Sequence, residues 1–494
     1  MNPMFAALNR RLGPLGIVLM IALLMVLAFM GSRGLFEPDE GRYTNVALQI
    51  LQRNDWISLF RNEWSMHFTK PPITYWSIAA SIMAFGKNEW AARLPNALAF
   101  VVTVAFMYSL GRAFSPKKAW LPAVLFMLSP VPFLAANAIN TDTLLCMFIT
   151  AFFCCYVNVR YLNAKSVWLD VMWLMLGLAF LTKGPPSLLA LLVVLVHAAR
   201  YGGLKPLFRP VGLLLFACVG LLWYLLVIMR HPGLLDYFLG YEVVARISSD
   251  EHNRTPQWYG AFVLYLPVLL AACLPALFLK PWKNRVVGEV SGENGKQALL
   301  WIWLILPLVV FSLSGSKMPL YVLWLVPALI LWLTTRLQEL SFARKHVYAA
   351  LVWCVLLLGM KYAAESVMRI NEKDSRQFAG QLQNLLPGVP NRIVFVNNSA
   401  RYGLALYFPV TVSKVALAPF DWRISDSPYD HTLADELAIK PAGQRVFIID
   451  ADKKQQFIIQ VQASGRQVVA LGAIGKRKPQ LVYTLPSEFD APQK

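Results

Sequence analysis

Glu37-Pro38-Asp39-Glu40-Gly41-Arg42-Tyr43 stands just beyond the first long apolar run of the chain, Leu15–Met30. A hydrophobic segment that ends on two adjacent carboxylates and an arginine reads as a membrane exit with chemistry at its mouth. A second polar stretch, His67-Phe68-Thr69-Lys70-Pro71-Pro72, follows before the next apolar run. Carboxylates and a lysine at a membrane surface suit work on a phosphate-bearing lipid better than they suit packing. A carboxylate beside low-dielectric surroundings takes a proton from an attacking hydroxyl readily. The loop 31–93 that holds both stretches also carries Trp56, Trp64, Tyr75, Trp76 and Trp90, as amphipathic pieces lying in the interface do.

Outward from this stretch the apolar runs recur. They are Leu15–Met30, Pro95–Ala113, Ala119–Ala136, Thr143–Tyr161, Val167–Leu181, Pro186–Ala199, Pro210–Met229, Trp258–Leu279, Ala298–Leu313, Pro319–Thr334 and His346–Tyr362. Eleven runs, or thirteen if short helical pairs are added, make an α-helical polytopic membrane protein. Of 494 residues 57% are hydrophobic and 15% charged, where a soluble chain is roughly 25% charged. Arg10 and Arg11 ahead of the first run, with no small-x-small cleavage pattern, read as an uncleaved anchor.

The net charge of +19 does not point to nucleic acid, because the cations sit in alternate short loops. These hold Arg10/Arg11, Arg112/Lys117/Lys118, Arg160/Lys165, Arg200/Lys205/Arg209, Lys280/Lys283/Arg285/Lys296 and Arg336/Arg344/Lys345. The positive-inside rule makes those loops and the N-terminus cytoplasmic. An odd number of spans then puts the C-terminal segment outside. ATP and sugar nucleotides are absent there, and the chain has no P-loop or G-x-G-x-x-G. An activated donor on that face is a lipid.

Residues 365–494 change character. A polar helix over Glu372–Leu386 leads to short β-branched runs at Arg392–Asn397, Arg445–Asp450, Phe457–Val461, Gln467–Leu471 and Gln480–Leu485. The expectation is a membrane domain over 1–364, including the loop 31–93, and a small α/β domain outside the membrane over 365–494. All six cysteines lie in apolar runs, so disulfides do not staple the outer domain.

Each candidate residue has a plain alternative. Asp39 and Glu40 are a general-base pair or a solvated salt bridge with Arg42. Lys70, Lys183 and Lys317 each precede proline at the outer end of a run, and each alone is a snorkelling lysine or a helix start. Together, with Arg42 and Arg246 available, they make a basin for a phosphate at helix N-termini. Glu242 and Arg246 are an i, i+4 ion pair on a helix. Asn140-Thr141-Asp142 caps the run that follows, with Asp142, Tyr43 and His252 as supporting residues.

Pro38-Asp39-Glu40-Gly41-Arg42-Tyr43, Lys70-Pro71-Pro72 and Ala92-Arg93-Leu94-Pro95-Asn96-Ala97-Leu98 resemble the pattern of GT-C glycosyltransferases, in the ArnT-like branch that is kin to dolichyl-phosphate-mannose–protein mannosyltransferases. Thr141-Asp142-Thr143-Leu144-Leu145, Leu181-Thr182-Lys183-Gly184-Pro185 and Leu313-Ser314-Gly315-Ser316-Lys317-Met318-Pro319-Leu320-Tyr321 follow in the same order. The resemblance implies a bacterial inner-membrane enzyme with a periplasmic C-terminal domain. It implies an undecaprenyl-phosphate-linked sugar donor, a lipid A or other lipopolysaccharide acceptor, and inversion at the anomeric carbon. Asp39 in the Asp-Glu motif is then the base, Lys70 a ligand of the donor phosphate and Tyr321 part of the donor cavity. Thr69 and Asn45 stand where relatives carry acidic residues, which leaves a divalent metal, and aminoarabinose as the sugar, open. Protein O-glycosylation and polysaccharide modification remain as alternatives within the class. Outside it, a flippase or transporter predicts paired repeats and mid-membrane charges, of which Asp170 is the one partial instance. An O-antigen ligase predicts a large later outer loop rich in Arg and His.

Overall fold

The computed structural model describes residues 3–240, 255, 257, 259–283, 293–439, 443–475 and 478–486. All eleven apolar runs fall on helices, and this is a multi-pass membrane protein. Among the described residues six helices are long and apolar enough to cross a bilayer: Glu89–Phe114, Thr141–Leu162, Pro210–Arg230, Gly260–Phe278, Asn294–Leu313 and Arg344–Arg369.

The chain divides into two compact units, one of residues 1–28, 70–74 and 93–361, the other of 29–69, 75–92 and 362–494. This division groups most of the loop 31–93 with the C-terminal segment, where the sequence boundary at 364 groups it with the spans.

The first unit is helical, and several of its runs are broken or irregular. The run Ala119–Ala136 forms two helices, Leu121–Met127 and Pro130–Ala135. Ser129 between them is extended, because the ring of Pro130 bars its predecessor from the helical region. The run Pro319–Thr334 begins as a 3₁₀ segment, Pro319–Leu325, before continuing as Val326–Thr335. The helix Pro210–Arg230 carries a π segment at Ala217–Leu221. Gly220 of that segment lies against Gly177 of the helix Val167–Lys183, so close that a Cβ at 220 would sit 3.2 Å from the Gly177 Cα. Small residues at such a crossing replace the hydrophobic drive that lipid removes.

The second unit holds a six-stranded sheet in the order β3-β2-β1-β4-β6-β5, with β1 Arg392–Val396, β2 Thr411–Ala416, β3 His431–Thr432, β4 Arg445–Asp450, β5 Val469–Ile474 and β6 Gln480–Thr484. β3, β2, β1 and β4 are parallel, and β6 and β5 complete the sheet antiparallel. Both faces are covered, so β1 and β4 are near-continuous apolar runs rather than alternating ones. Phe378 and Leu382 of the helix Ser375–Gln383 pack on one face with Ile393, Phe395 and Ile448, and Phe457 and Val461 pack on the other with Val394, Phe447 and Ile449.

Phe457–Val461 is a correction to the sequence reading. It lies in a helix, Lys454–Ala463, not a strand. Its two fully buried side chains are four residues apart among glutamines, which is a helix period. The strand expected at Gln467–Leu471 is displaced to Val469–Ile474, and β2 and β3 have no counterpart among the expected strands.

Candidate functional site

In the second unit the decisive stretch starts a helix, Asp39–Arg53, with both carboxylates of the pair in its first turn. That is the end where the helix dipole favours negative charge. The two acids then part company. The Glu40 side chain is 5% exposed and forms a buried ion pair with Arg33. It also accepts from Arg33 Nη2 at 3.2 Å and from the Phe36 amide at 2.9 Å. Arg33 Nε lies 3.2 Å from Glu365, which in turn accepts from Ser32 Oγ at 3.1 Å. Two carboxylates around one guanidinium lock the helix start to the end of the chain's last long helix.

Asp39 points the other way, with its side chain 58% exposed and 2.6 Å from Arg42 Nη2. The arginine orients the exposed carboxylate. Arg42 lies 5.9 Å from the Tyr43 ring centroid, Tyr43 packs on Tyr75 at 5.4 Å, and Tyr75 meets the His67 ring edge-on. His67 Nε2 is 3.0 Å from Thr69 Oγ1. The polar stretch before Lys70 is thereby packed against the helix that carries Asp39.

Glu37 is a residue the sequence does not single out, since nothing local marks it. Its carboxyl is buried, accepting from Ser375 Oγ at 2.8 Å and from the Gly403 amide at 2.7 Å, while Oε2 has no hydrogen-bond partner among the described residues. Burial outweighs those bonds and pushes its pKa from the ordinary 4.5 to about 7. Gly41 and Gly403 make the pocket: a Cβ at either position would run into the Glu37 carboxylate. Gly41 is therefore required for close approach and not for an unusual φ.

The first unit gathers a second cluster. Asn96 is fully buried and donates to the carbonyls of Ala138 at 3.0 Å and Asn140 at 2.9 Å. Asn140 caps the helix Thr141–Leu162 by accepting from the Thr143 amide at 2.9 Å, the capping the sequence suggested. That fixes Asp142, which forms a part-buried ion pair with Lys183 at the end of the helix Val167–Lys183. The Lys183 ammonium also lies over the Tyr321 ring, 4.2 Å from its centroid. The structure thus brings Asp142, Lys183 and Tyr321 together, with the lysine neutralised by the aspartate rather than bare. Lys317 is 3% exposed, and its ammonium is 3.4 Å from the Thr255 carbonyl. Lys70-Pro71-Pro72 immediately precedes the helix Ile73–Phe85, the helix start that its prolines suggested. Glu242, Arg246 and His252 lie outside the described residues.

Among the described residues no group of three or more His, Cys, Asp or Glu side chains is placed to hold a metal ion. The Asp39 carboxylate is matched with a guanidinium, which is not a cation-binding donor set.

The chain as a whole is similar to known proteins. Residues 69–229 match the family described as dolichyl-phosphate-mannose-protein mannosyltransferase. Superposed on the crystal structure of ArnT from Cupriavidus metallidurans bound to undecaprenyl phosphate, the chain gives a TM-score of 0.72 at 20% identity, covering 96% of this chain and 99% of that one. This chain has the fold of that ArnT structure. An undecaprenyl phosphate-alpha-4-amino-4-deoxy-L-arabinose arabinosyl transferase of Pseudomonas fluorescens is 30% identical over 341 residues, 65% of this chain and 59% of the relative. Its namesake from Pseudomonas savastanoi pv. phaseolicola is 30% identical over 350 residues, covering 67% and 62%. The match spans about six tenths of the length of these curated relatives.

Proposed function

We propose that this ArnT-like chain is an inverting glycosyltransferase that moves a sugar from undecaprenyl phosphate to an acceptor on the outer face of the bacterial inner membrane. The relatives named above make 4-amino-4-deoxy-L-arabinose the leading sugar, and lipid A is the leading acceptor. The observation that carries the reading is the contrast between the two acids of the helix start: Glu40 buried in an ion pair, Asp39 exposed and held by Arg42. A base needs that freedom. Asp39 takes the proton of the acceptor hydroxyl or phosphate as its oxygen attacks the anomeric carbon, and the lipid phosphate leaves from the opposite side. General-base help of this kind is worth about 10²–10⁴-fold.

Cations at the leaving phosphate stabilise the charge that grows there and accelerate the transfer more than the base does. Lys70 and Arg42 are assigned to the phosphate. Lys183 is assigned there once Asp142 is displaced, with Tyr321 beneath it, and Lys317 and Arg246 are assigned to the surrounding basin. Glu40 is a positioning residue. The alternating cationic loops support a cytoplasmic N-terminus and a periplasmic C-terminal unit.

The test is transfer by purified protein from a panel of undecaprenyl-phosphate sugars, wild type against Asp39→Asn. Loss of transfer with retained donor binding supports the assignment. Equal rates remove Asp39 as the base. A wild type that uses no monophosphate donor moves the ligase and flippase readings ahead.

A further inference from the structure

The second unit contains a cavity of about 630 Å³ that the proposed transfer step does not use. Its size lies in the range of small-ligand sites, roughly 300–1,000 Å³. One wall comes from the helix Asp39–Arg53, through Leu48, Gln49 and Gln52. The opposite wall is formed where β1, β2 and β4 begin, at Arg392, Thr411 and Arg445, which lie level in the parallel register.

The deep charges of this wall satisfy one another. Arg392 pairs with Glu63 and, at 3.3 Å, with Glu436; Arg445 is 3.3 Å from the same glutamate; His431 reaches it at 2.7 Å. They form a rigid polar back rather than an open ion site. The mouth is different: Gln52, Asn391 and Lys87 are exposed there, and the half-buried Val410 supplies apolar surface.

We propose that this cavity binds the saccharide head of the acceptor, with an anionic substituent of the saccharide facing Lys87. The proposal rests on the sugar-transferase reading. Amides that both donate and accept match hydroxyls, and an apolar patch beside them matches the C–H face of a sugar ring. An acyl chain would desolvate those amides without replacing their bonds. A peptide adding as a strand needs a sheet edge, and the edges here are β3 and β5, not the strand starts that line the cavity.

Gln49 is ten residues along the same helix from Asp39, about 15 Å at 1.5 Å per residue. The cavity is therefore too far from the base to hold the reacting hydroxyl. It holds a remote part of a large acceptor, whose binding energy is available to orient the reacting end.

The experiment uses the full-length protein with Lys87→Glu and, to fill the mouth, Gln52→Trp. Two readouts are taken: KM for the intact acceptor, and direct binding of a deacylated, phosphorylated glucosamine disaccharide as probe. The expected result is a rise in acceptor KM of about tenfold or more, the scale of losing a charged contact. Donor KM and melting temperature stay unchanged, and the probe binds wild type but not Lys87→Glu. Wild-type acceptor KM in both variants, or a probe that does not bind wild type, overturns the site. A wild type that binds the probe through Lys87 yet transfers no sugar keeps the site and overturns the transferase reading instead.

Discussion

Replacing Glu37 by glutamine keeps the shape of a buried carboxyl and removes its titration. The folded pKa of about 7 stands above the ordinary 4.5 because the ionised form loses water and gains only two hydrogen bonds, from Ser375 and Gly403. The native state therefore holds this proton more tightly than the unfolded chain. The stability it contributes is fully present below pH 4.5 and is lost as pH rises through about 7. At roughly 1.4 kcal/mol per pKa unit the full loss is about 3 kcal/mol, of which about 2 kcal/mol falls between roughly pH 5.5 and 8.5. Glu37→Gln should lack that slope: relative to wild type it gains about 2 kcal/mol on going from the acid to the alkaline end. Any fixed cost of placing an amide beside Gly41 appears equally at both ends and does not enter the difference. Thermal unfolding of the detergent-solubilised protein across this range measures it. Parallel pH profiles for the two proteins would show that Glu37 is solvated or already ionised in the folded state, and the reasoning would fail.

Two further outcomes separate positioning from catalysis. Glu40→Gln strands Arg33 beside a single carboxylate and should destabilise by about 3 kcal/mol, the low end for breaking a buried pair. Asp39→Asn should change stability by under about 0.5 kcal/mol, as exposed substitutions do, while transfer falls by orders of magnitude; similar melting losses in both variants would contradict the assignment. For the part-buried pair in the first unit, Lys183→Met alone should cost about 1–3 kcal/mol, and adding Asp142→Leu should recover most of it. Additive losses in that double-mutant cycle would mean that the two side chains do not share a bond.

Much of the membrane unit is legible in the sequence because hydropathy is a sum over neighbours. Eleven runs lead to helices, and proline at 130 explains where one of them breaks. The outer unit is less legible. β2, with the sequence Thr-Val-Ser-Lys-Val-Ala, is diluted by Ser413 and Lys414 and offers no clean alternation. Phe457–Val461 has strand composition but helical spacing, and the sheet face it covers decides for the helix.

The sequence by itself determined that this chain threads a membrane and that Asp39, Glu40 and Arg42 follow its first apolar run. It also determined that Asn140 caps a helix, since the cap, Thr143 and the apolar run are neighbours in the chain. Only the tertiary structure decided which of Glu37, Asp39 and Glu40 is free. Glu40 is taken by Arg33 and its partner Glu365, and Glu37 by Ser375 and Gly403. The contacts of Glu37, and the Glu365 that holds Arg33, lie more than three hundred positions away and leave no local signature. A carboxylate's exposure is set by what the rest of the chain brings to it.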